Sequence, residues 1–191
     1  MSKYKIGKKD KSKNNDPFRE QYMPKETIFS VFGDITDKKV GDIGCGSGYY
    51  TKDLSKKVGL RGKVYSIDVD PEVIEMITYK TSELKNVINT LSNENKIPLE
   101  DNSLDIMLSI NSFHEFDDKE LTLTEIVRIL KPRGRFYMID FSPTSSPPPG
   151  PPKDKRVLKE DAILVCEDVG FRFLKPFNVG LYHYGLMFEK K

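Results

Sequence analysis

The stretch Val40-Gly-Asp-Ile-Gly-Cys-Gly-Ser-Gly-Tyr49 decides the fold of this chain. A short apolar run precedes three glycines, at Gly44, Gly46 and Gly48, and a helical pattern follows them. Glycine is needed where a chain turns sharply out of a strand with positive φ and lets a ligand approach the backbone closely. The stretch therefore predicts a strand, a glycine turn and a helix that together bind a nucleotide-type cofactor.

The glycine spacing narrows the choice of cofactor. Turns that bind a dinucleotide have the spacing G-x-G-x-x-G, whereas this turn has G-x-G-x-G with an acidic residue, Asp42, two positions before the first glycine. A glycine turn alone does not identify one cofactor, and Asp68 would suit the ribose of NAD as well as that of another nucleoside. An NAD-dependent oxidoreductase therefore stays open until the rest of the chain is considered.

Composition excludes several classes of protein. The chain has 191 residues, which suits one domain, and a formal net charge of +2, which argues against nucleic acid or an anionic membrane as the main partner. No apolar stretch approaches the roughly 18 residues of a membrane span, so we expect a cytoplasmic protein. Cys45 and Cys166 lack the spacing of metal ligands, and we expect no metal site.

The N-terminal segment is basic. Six lysines and two aspartates fall between residues 3 and 16. We interpret residues 1–18 as a solvated, mobile tail, with an arm that docks onto nucleic acid or an acidic partner as the alternative.

Strand-like and helix-like segments alternate after this tail. The patterns predict strands at 40–44, 62–68, 86–91, 103–110 and 135–141, and helices at 24–32, 49–58, 71–79, 121–130 and 160–169. Two last strands, 171–177 and 181–189, are joined by three residues, which forces an antiparallel hairpin. We therefore expect an α/β fold, a Rossmann-like three-layer sandwich whose seven-stranded, mostly parallel sheet has one antiparallel strand.

Residues 142–155 are rich in proline, serine and glycine and have no periodicity. The chain beyond them is too short for a second domain, so we expect a single domain over residues 19–191 with 142–155 as a covering loop. The loop leaves a predicted strand at the end where open parallel sheets bind ligands, and we expect it to border the substrate opening.

Polar residues follow the predicted strands at that same end. Asp68 ends the second strand, where a carboxylate can accept hydrogen bonds from both ribose hydroxyls. The alternative is that Asp70 caps the next helix and Asp68 is its solvated neighbour. Asn93 follows the third strand, while Asn111 and His114 follow the fourth.

Four segments in this order resemble the class I S-adenosylmethionine-dependent methyltransferases. They are the glycine turn 40–49 (motif I), Val64-Tyr-Ser-Ile-Asp-Val-Asp-Pro71 (motif II, with its ribose acid at Asp68), Ile97-Pro-Leu-Glu-Asp-Asn-Ser-Leu-Asp105 and Glu125-Ile-Val-Arg-Ile-Leu-Lys-Pro-Arg-Gly134. Gly150-Pro-Pro-Lys-Asp-Lys-Arg156 and His183-Tyr-Gly-Leu-Met-Phe188 also match a subgroup of small prokaryotic methyltransferases. The resemblance extends from residue 20 to residue 190.

The resemblance implies S-adenosylmethionine as the cofactor and a set of residues that bind it. The set is Asp42, Gly44, Cys45, Gly46, Gly48, Asp68, Val69, Asn93, Glu94 and Asn111. Asn93 stands where the family usually has an aspartate on the adenine side, and its amide can both donate and accept a hydrogen bond. The N–H groups of the glycine turn would bind the methionine carboxylate, while the Gly44 carbonyl and Asp42 would bind the ammonium.

The implied reaction is transfer of a methyl group to an acceptor, which we expect to be a small molecule. Alignment of the reacting groups can supply roughly 7–11 kcal/mol, and a general base adds about 10²–10⁴-fold where the acceptor arrives protonated. His114 is the candidate base or substrate orienter, with a packing histidine at a helix start as the alternative. Asp140, Tyr182, His183 and Tyr184 are candidates for the acceptor pocket or ordinary strand residues.

Three alternatives remain open for the function. They are a methyltransferase that acts on protein or RNA, a cofactor-binding protein without catalysis, and the NAD-dependent oxidoreductase. Residues 111–114 read Asn-Ser-Phe-His and so lack the Asn/Asp-Pro-Pro-Tyr signature of enzymes that methylate nucleic-acid amino groups.

Overall fold

The computed structural model describes residues 19–93, 96–145 and 150–191, and it alternates strands with helices as the sequence predicts. The strands are β1 (Lys39–Ile43), β2 (Lys63–Asp68), β3 (Val87–Leu91), β4 (Leu104–Ile110), β5 (Leu130–Phe141), β6 (Phe171–Phe177) and β7 (His183–Lys190). The helices are α1 (Arg19–Tyr22), α2 (Lys25–Phe32), α3 (Thr51–Val58), α4 (Pro71–Lys80), α5 (Lys119–Ile129) and α6 (Lys159–Asp168). Short 3-10 turns lie at Phe113–Glu115 and Lys153–Lys155.

All seven strands form one sheet in the order β3-β2-β1-β4-β5-β7-β6. Every neighbouring pair is parallel except those that include β7, which runs antiparallel to both β5 and β6. The α/β architecture and the single reversed strand in a C-terminal hairpin are therefore confirmed. The strand order reverses between β1 and β4, and ligands of open α/β sheets bind in the crevice at such a reversal.

Apolar side chains fill both faces of the sheet, which gives three layers. On one face, α5 and α6 pack over a cluster that includes Phe136, Phe171 and Phe188, all fully buried. On the other face, α2 and α3 pack over a cluster that includes Ile28 and Leu54. β4 is an almost continuous apolar run and is buried on both sides, as a central parallel strand requires.

The structure differs from the predicted elements by one additional helix and at several boundaries, among them those of β5 and β7. α1 was not predicted, because four residues are too few to show a helical period. β5 begins at Leu130 and not at 135, because Leu130 pairs with Leu104 before an irregularity in the register. β7 begins at His183, since Leu181 is 85% exposed and lies before the strand.

No helix in the described part of the chain is long and apolar enough to cross a membrane.

Candidate active site

The three glycines of the turn all have left-handed backbone angles, with φ of 70° at Gly44, 52° at Gly46 and 73° at Gly48. The Gly44 and Cys45 N–H groups donate to the Ile67 carbonyl at 2.8 and 3.1 Å, so the turn crosses the carboxyl end of β2. A Cβ on Gly44 would lie 2.4 Å from the Ser112 Cβ. Side chains are therefore excluded here both by the backbone angle and by close contact.

Asp68 lies directly against this turn. Its Oδ2 accepts a hydrogen bond from the Gly46 N–H at 3.1 Å, and its Oδ1 accepts one from the Asp70 N–H at 3.0 Å. Asp70 also caps α4, because its Oδ1 accepts from the Glu72 N–H at 2.9 Å. The helix cap by Asp70, which belonged to the alternative interpretation, therefore exists. Asp68 is nevertheless not a solvated neighbour of this cap, because it accepts a hydrogen bond from the glycine turn. Burial raises the pKa of the Asp68 carboxyl.

Asp42 is the second acidic group at the turn and is only 3% exposed. Burial raises its pKa to about 7, the nearby Asp68 adds to the rise, and the Arg19 guanidinium opposes it. Arg19 belongs to α1 and lies over the rings of Tyr49 and Tyr50, 4.6 and 5.1 Å from their centroids. Its Nε is buried without a hydrogen-bond partner among the described residues. α1 thus places a cation over the turn, which the sequence pattern did not reveal.

The loop after β4 is tied to the turn by hydroxyl groups. The Ser112 Oγ donates to the Ile43 carbonyl at 2.8 Å and lies 2.9 Å from the Ser109 Oγ. Asn111, one residue earlier, has φ of 59°, and its buried Oδ1 lacks a partner among the described residues. Ser112 was missed by the sequence reasoning, although its place directly after a buried strand was a usable signal.

His114 and Asp140 form a buried pair at the ends of β4 and β5. The His114 Nδ1 lies 2.8 Å from the Asp140 Oδ1, and the main-chain N–H of His114 donates to the Asp140 Oδ2 at 2.8 Å. The side chain of His114 is 6% exposed and that of Asp140 is fully buried. Because a carboxylate only accepts, Nδ1 carries the hydrogen and Nε2 is left free to take a proton.

Burial alone would lower the pKa of His114, but the hydrogen bond and charge of Asp140 outweigh it, so the pKa lies above its ordinary value. The Nε2 atom lies 3.8 Å from the Oε1 of Glu115, whose side chain is half exposed. A positioned imidazole of this kind can act as a general base. The pairing of His114 with Asp140 was not predicted, because 26 residues separate them.

The other predicted cofactor residues have varied surroundings. Cys45 is 8% exposed, and burial raises the pKa of its thiol, so it acts as a small residue in the turn. Val69 is 54% exposed beside Asp68. Asn93 forms an isolated bridge with Lys96, at the end of β3. Glu94 lies outside the described residues. No group of three or more His, Cys, Asp or Glu side chains in the described ranges could hold a metal ion.

A row of aromatic rings lies at the end of the sheet, next to the His114–Asp140 pair. Phe141 pairs with His183 in the β5–β7 ladder, and the two ring centroids are 4.4 Å apart. His114 lies on the same phenyl ring, with 5.8 Å between centroids. Tyr22 of α1 lies parallel to His183 at 6.0 Å, and Tyr182 meets Tyr22 edge-on. Tyr184 instead belongs to the apolar cluster beneath α5 and α6, on the opposite face of the sheet from His183.

The described parts of segment 142–155 lie beside these rings. The Ser142 N–H donates to the Tyr182 carbonyl at 2.8 Å. Arg156 donates to the carbonyls of Pro151 and Ser142, both at 3.0 Å, and its guanidinium lies 5.4 Å from the Phe141 centroid. Residues 146–149 lie outside the described residues. Arg156 therefore holds the two ends of the segment close to Phe141.

A sheet of this order with a glycine turn after β1 and an acidic residue ending β2 defines the fold of the class I S-adenosylmethionine-dependent methyltransferases. Residues 41–138 match the family model described as a methyltransferase domain. A SAM-dependent methyltransferase from Aquifex aeolicus is 34% identical, with a TM-score of 0.90 over 96% of this chain and 98% of that chain. This chain belongs to the methyltransferase-domain family.

Two further relatives agree with that assignment. A structure described as a putative type 11 methyltransferase from Sulfolobus solfataricus is 33% identical, with a TM-score of 0.75 over 89% of this chain and 93% of that chain. A demethylmenaquinone methyltransferase from Lactococcus lactis is 32% identical over 68% of this chain, and the match spans 52% of that relative's length. The fold and the cofactor class that the resemblance implies are confirmed, and these matches favour a methyltransferase over the NAD-dependent oxidoreductase.

Proposed function

We propose that this chain transfers the methyl group of S-adenosylmethionine to a small-molecule acceptor, with His114 as the general base. The observation that carries the proposal is the convergence, at one end of the sheet, of the glycine turn held by Asp68 and the His114–Asp140 pair.

The residues around the turn suit the cofactor. The glycine turn leads into the start of α3, where the helix dipole favours a carboxylate, and its residues without Cβ atoms let a ligand approach the backbone closely. On cofactor binding, Asp68 would give up part of its hydrogen bonding to the turn and accept hydrogen bonds from the ribose hydroxyls. Asp42 suits the ammonium, and the buried Nε of Arg19 suits the methionine carboxylate. Asn93 remains the candidate for the adenine side. The other candidates for contact with the cofactor are Val69, Glu94 and Asn111.

S-adenosylmethionine, when bound, supplies a methyl group already activated by a sulfonium. The work left to the protein is alignment, exclusion of water and removal of a proton. Asp140 holds the imidazole through Nδ1, so Nε2 of His114 accepts the proton from the acceptor's nucleophilic atom. Asp140 also stabilises the imidazolium that results.

The size of the acceptor is inferred from burial. With 6% of the His114 side chain exposed and none of that of Asp140, a nucleophile bound to His114 must reach into a recess. A small molecule can do so, whereas a folded protein or RNA would have to extend a group into the recess. The name of the Lactococcus relative, demethylmenaquinone methyltransferase, also refers to a small acceptor. We propose that residues 142–155 border the opening of this recess.

Two measurements test the proposal. Calorimetry should detect binding of S-adenosylhomocysteine but not of NAD. The protein should be incubated with S-adenosylmethionine and, in separate reactions, with the small-molecule, protein or RNA fraction of a cell extract. We expect S-adenosylhomocysteine to form only in the reaction that contains the small-molecule fraction. NAD binding without S-adenosylhomocysteine binding would overturn the cofactor, and turnover confined to the protein or RNA fraction would overturn the acceptor class.

A further inference from the structure

A second recess lies at the end of the sheet opposite the glycine turn. It is a cleft of about 430 Å³ at the amino ends of β1, β4 and β5. Along β4, the two ends of the sheet are about 20 Å apart, so the cleft is separate from the site described above. Four cationic side chains and two carboxylates line it, namely Lys38, Lys131, Arg133, Arg135, Asp34 and Asp105.

The apolar side chains that also line the cleft are almost completely covered by the rest of the protein. Phe32, Ile106, Tyr137 and Met187 are between 4% and 8% exposed. The cleft therefore offers charge and hydrogen-bond donors and little apolar surface. A ligand that suits it must be hydrophilic and negatively charged.

Both carboxylates of the cleft already have partners within the protein. The Asp105 Oδ1 lies 2.7 Å from the Lys131 Nζ, and its Oδ2 accepts a hydrogen bond from the Lys39 N–H at 2.8 Å. The Asp34 Oδ1 accepts a hydrogen bond from the Thr36 N–H at 2.9 Å. Asp105 therefore balances the charge of Lys131 and leaves the arginines of the cleft without a carboxylate from its lining.

The two arginines carry the excess positive charge. The Arg135 Nη2 lies 3.2 Å from the Glu189 Oε2, but Arg172 binds the other oxygen of the same carboxylate, so one negative charge faces two guanidinium groups. The side chain of Arg133 forms no ion pair or hydrogen bond with any described residue. An anion in the cleft would supply the charge that both guanidinium groups lack.

The backbone of Arg133 is a second sign of a ligand site. Its φ is 63°, a left-handed angle that glycine adopts readily and that an arginine adopts only at a cost in free energy. Gly134, the next residue, has no room for a side chain, because a Cβ there would lie 2.8 Å from the Lys131 carbonyl oxygen. Strain of this kind is concentrated at sites that bind ligands.

We propose that this cleft binds a small molecule that carries a diphosphate group, which the guanidinium groups of Arg133 and Arg135 and the ammonium group of Lys38 contact. A guanidinium binds phosphate oxygens through two parallel hydrogen bonds, and a lysine adds positive charge. The volume of the cleft lies in the range of small-molecule sites and exceeds what a single phosphate fills. The site is independent of the methyl transfer proposed above.

Calorimetry with inorganic pyrophosphate and, separately, with inorganic phosphate tests this site, in the absence and in the presence of saturating S-adenosylhomocysteine. Wild-type protein should bind pyrophosphate at least about tenfold more tightly than phosphate, because the second phosphate gains charge-assisted hydrogen bonds. S-adenosylhomocysteine should leave the affinity for pyrophosphate unchanged, since the glycine turn lies at the other end of the sheet.

Arg133→Gly separates the side chain from the fold. Its affinity for pyrophosphate should fall about tenfold, whereas its melting temperature should not fall, because glycine suits a φ of 63°. Arg61→Gly is the matched control. Arg61 lies just before β2 at the same end of the sheet, its side chain is 84% exposed and pairs with Asp37, and it does not line the cleft.

A preference for pyrophosphate that is lost in Arg133→Gly and kept in Arg61→Gly supports the proposed site. It is overturned by an absence of pyrophosphate binding, by equal affinities for pyrophosphate and phosphate, by equal losses in the two variants, or by displacement of pyrophosphate by S-adenosylhomocysteine. Arg133→Asn repeats the test if Arg133→Gly does not fold, since asparagine also tolerates left-handed angles. None of these outcomes changes the assignment of the cofactor or of His114.

Discussion

Replacement of Asp140 by asparagine tests the proposed base most directly. The Asp140 carboxylate accepts three hydrogen bonds, from the His114 Nδ1, the His114 N–H and the Phe141 N–H, at 2.8, 2.8 and 2.7 Å. Asparagine has nearly the same size but only one oxygen. Its NH2 group must then face one of these donors, and the negative charge beside His114 is lost.

The expected loss of activity follows from these contacts. A positioned general base contributes about 10²–10⁴-fold, and without the carboxylate His114 loses both its fixed orientation and the charge that stabilises the imidazolium. We expect kcat of Asp140→Asn to fall about 10²-fold, while the affinity for S-adenosylhomocysteine changes little, because Asp140 does not contact the glycine turn.

The pH dependence supplies a second readout. Asp140 raises the pKa of His114 against the effect of burial. Without that charge the pKa falls, so the acid limb of kcat/KM should move to lower pH in Asp140→Asn. Release of S-adenosylhomocysteine, measured from about pH 5 to about pH 9, covers the range in which histidine titrates.

Glu115→Gln is the matched control for this test. Glu115 lies 3.8 Å from the His114 Nε2 but does not orient the ring, so its loss should shift the acid limb far less and preserve most of kcat. If Asp140→Asn is folded and binds S-adenosylhomocysteine, yet keeps the wild-type kcat and the same acid limb, His114 is not the base.

Three further predictions concern the cofactor site and the segment after β5. Asp68→Ala should weaken S-adenosylmethionine binding in calorimetry by about 2–3 kcal/mol, since charge-assisted hydrogen bonds are lost. By contrast, Asp70→Ala should lower the free energy of unfolding by about 1 kcal/mol with little change in the affinity for S-adenosylmethionine. Equal affinities of the Asp68→Ala and Asp70→Ala variants for S-adenosylmethionine would refute the assignment of Asp68 to the ribose. Gly44→Ala should cost about 1–3 kcal/mol of stability because of the contact with Ser112, and a melting temperature equal to that of the wild type would contradict it. Arg156→Ala should raise the KM for the acceptor and leave the Kd for S-adenosylhomocysteine unchanged, since Arg156 holds the segment ends near Phe141. If the Kd for S-adenosylhomocysteine changes while the KM for the acceptor does not, the segment does not border the acceptor site.

Much of the fold could be predicted because its signals are local. The glycine turn depends on φ angles that only a few residue types adopt, and β4 is recognisable as a continuous apolar run. The hairpin of β6 and β7 follows from the short connection between them. Asp68 could be chosen because parallel strands present their carboxyl ends at one edge of the sheet, so a residue's place along its strand also gives its place at that edge.

The candidate acceptor site depends instead on contacts between distant parts of the chain. His114 meets Asp140 because β4 and β5 are neighbours in register, and His183 meets Phe141 because β7 inserts between β5 and β6. Tyr22 and Arg19 join them only through α1, which is too short to show a periodic pattern.

The sequence by itself determined the α/β class, the glycine turn and the place of Asp68 at the end of β2, since each depends on the backbone preferences and burial of neighbouring residues. Only the tertiary structure decided which nitrogen of His114 faces Asp140, which histidine lacks hydrogen-bond partners among the described residues and which cation lies over the turn. Those properties arise from burial and from charges on other elements. They exist only after the sheet and its helices have packed together.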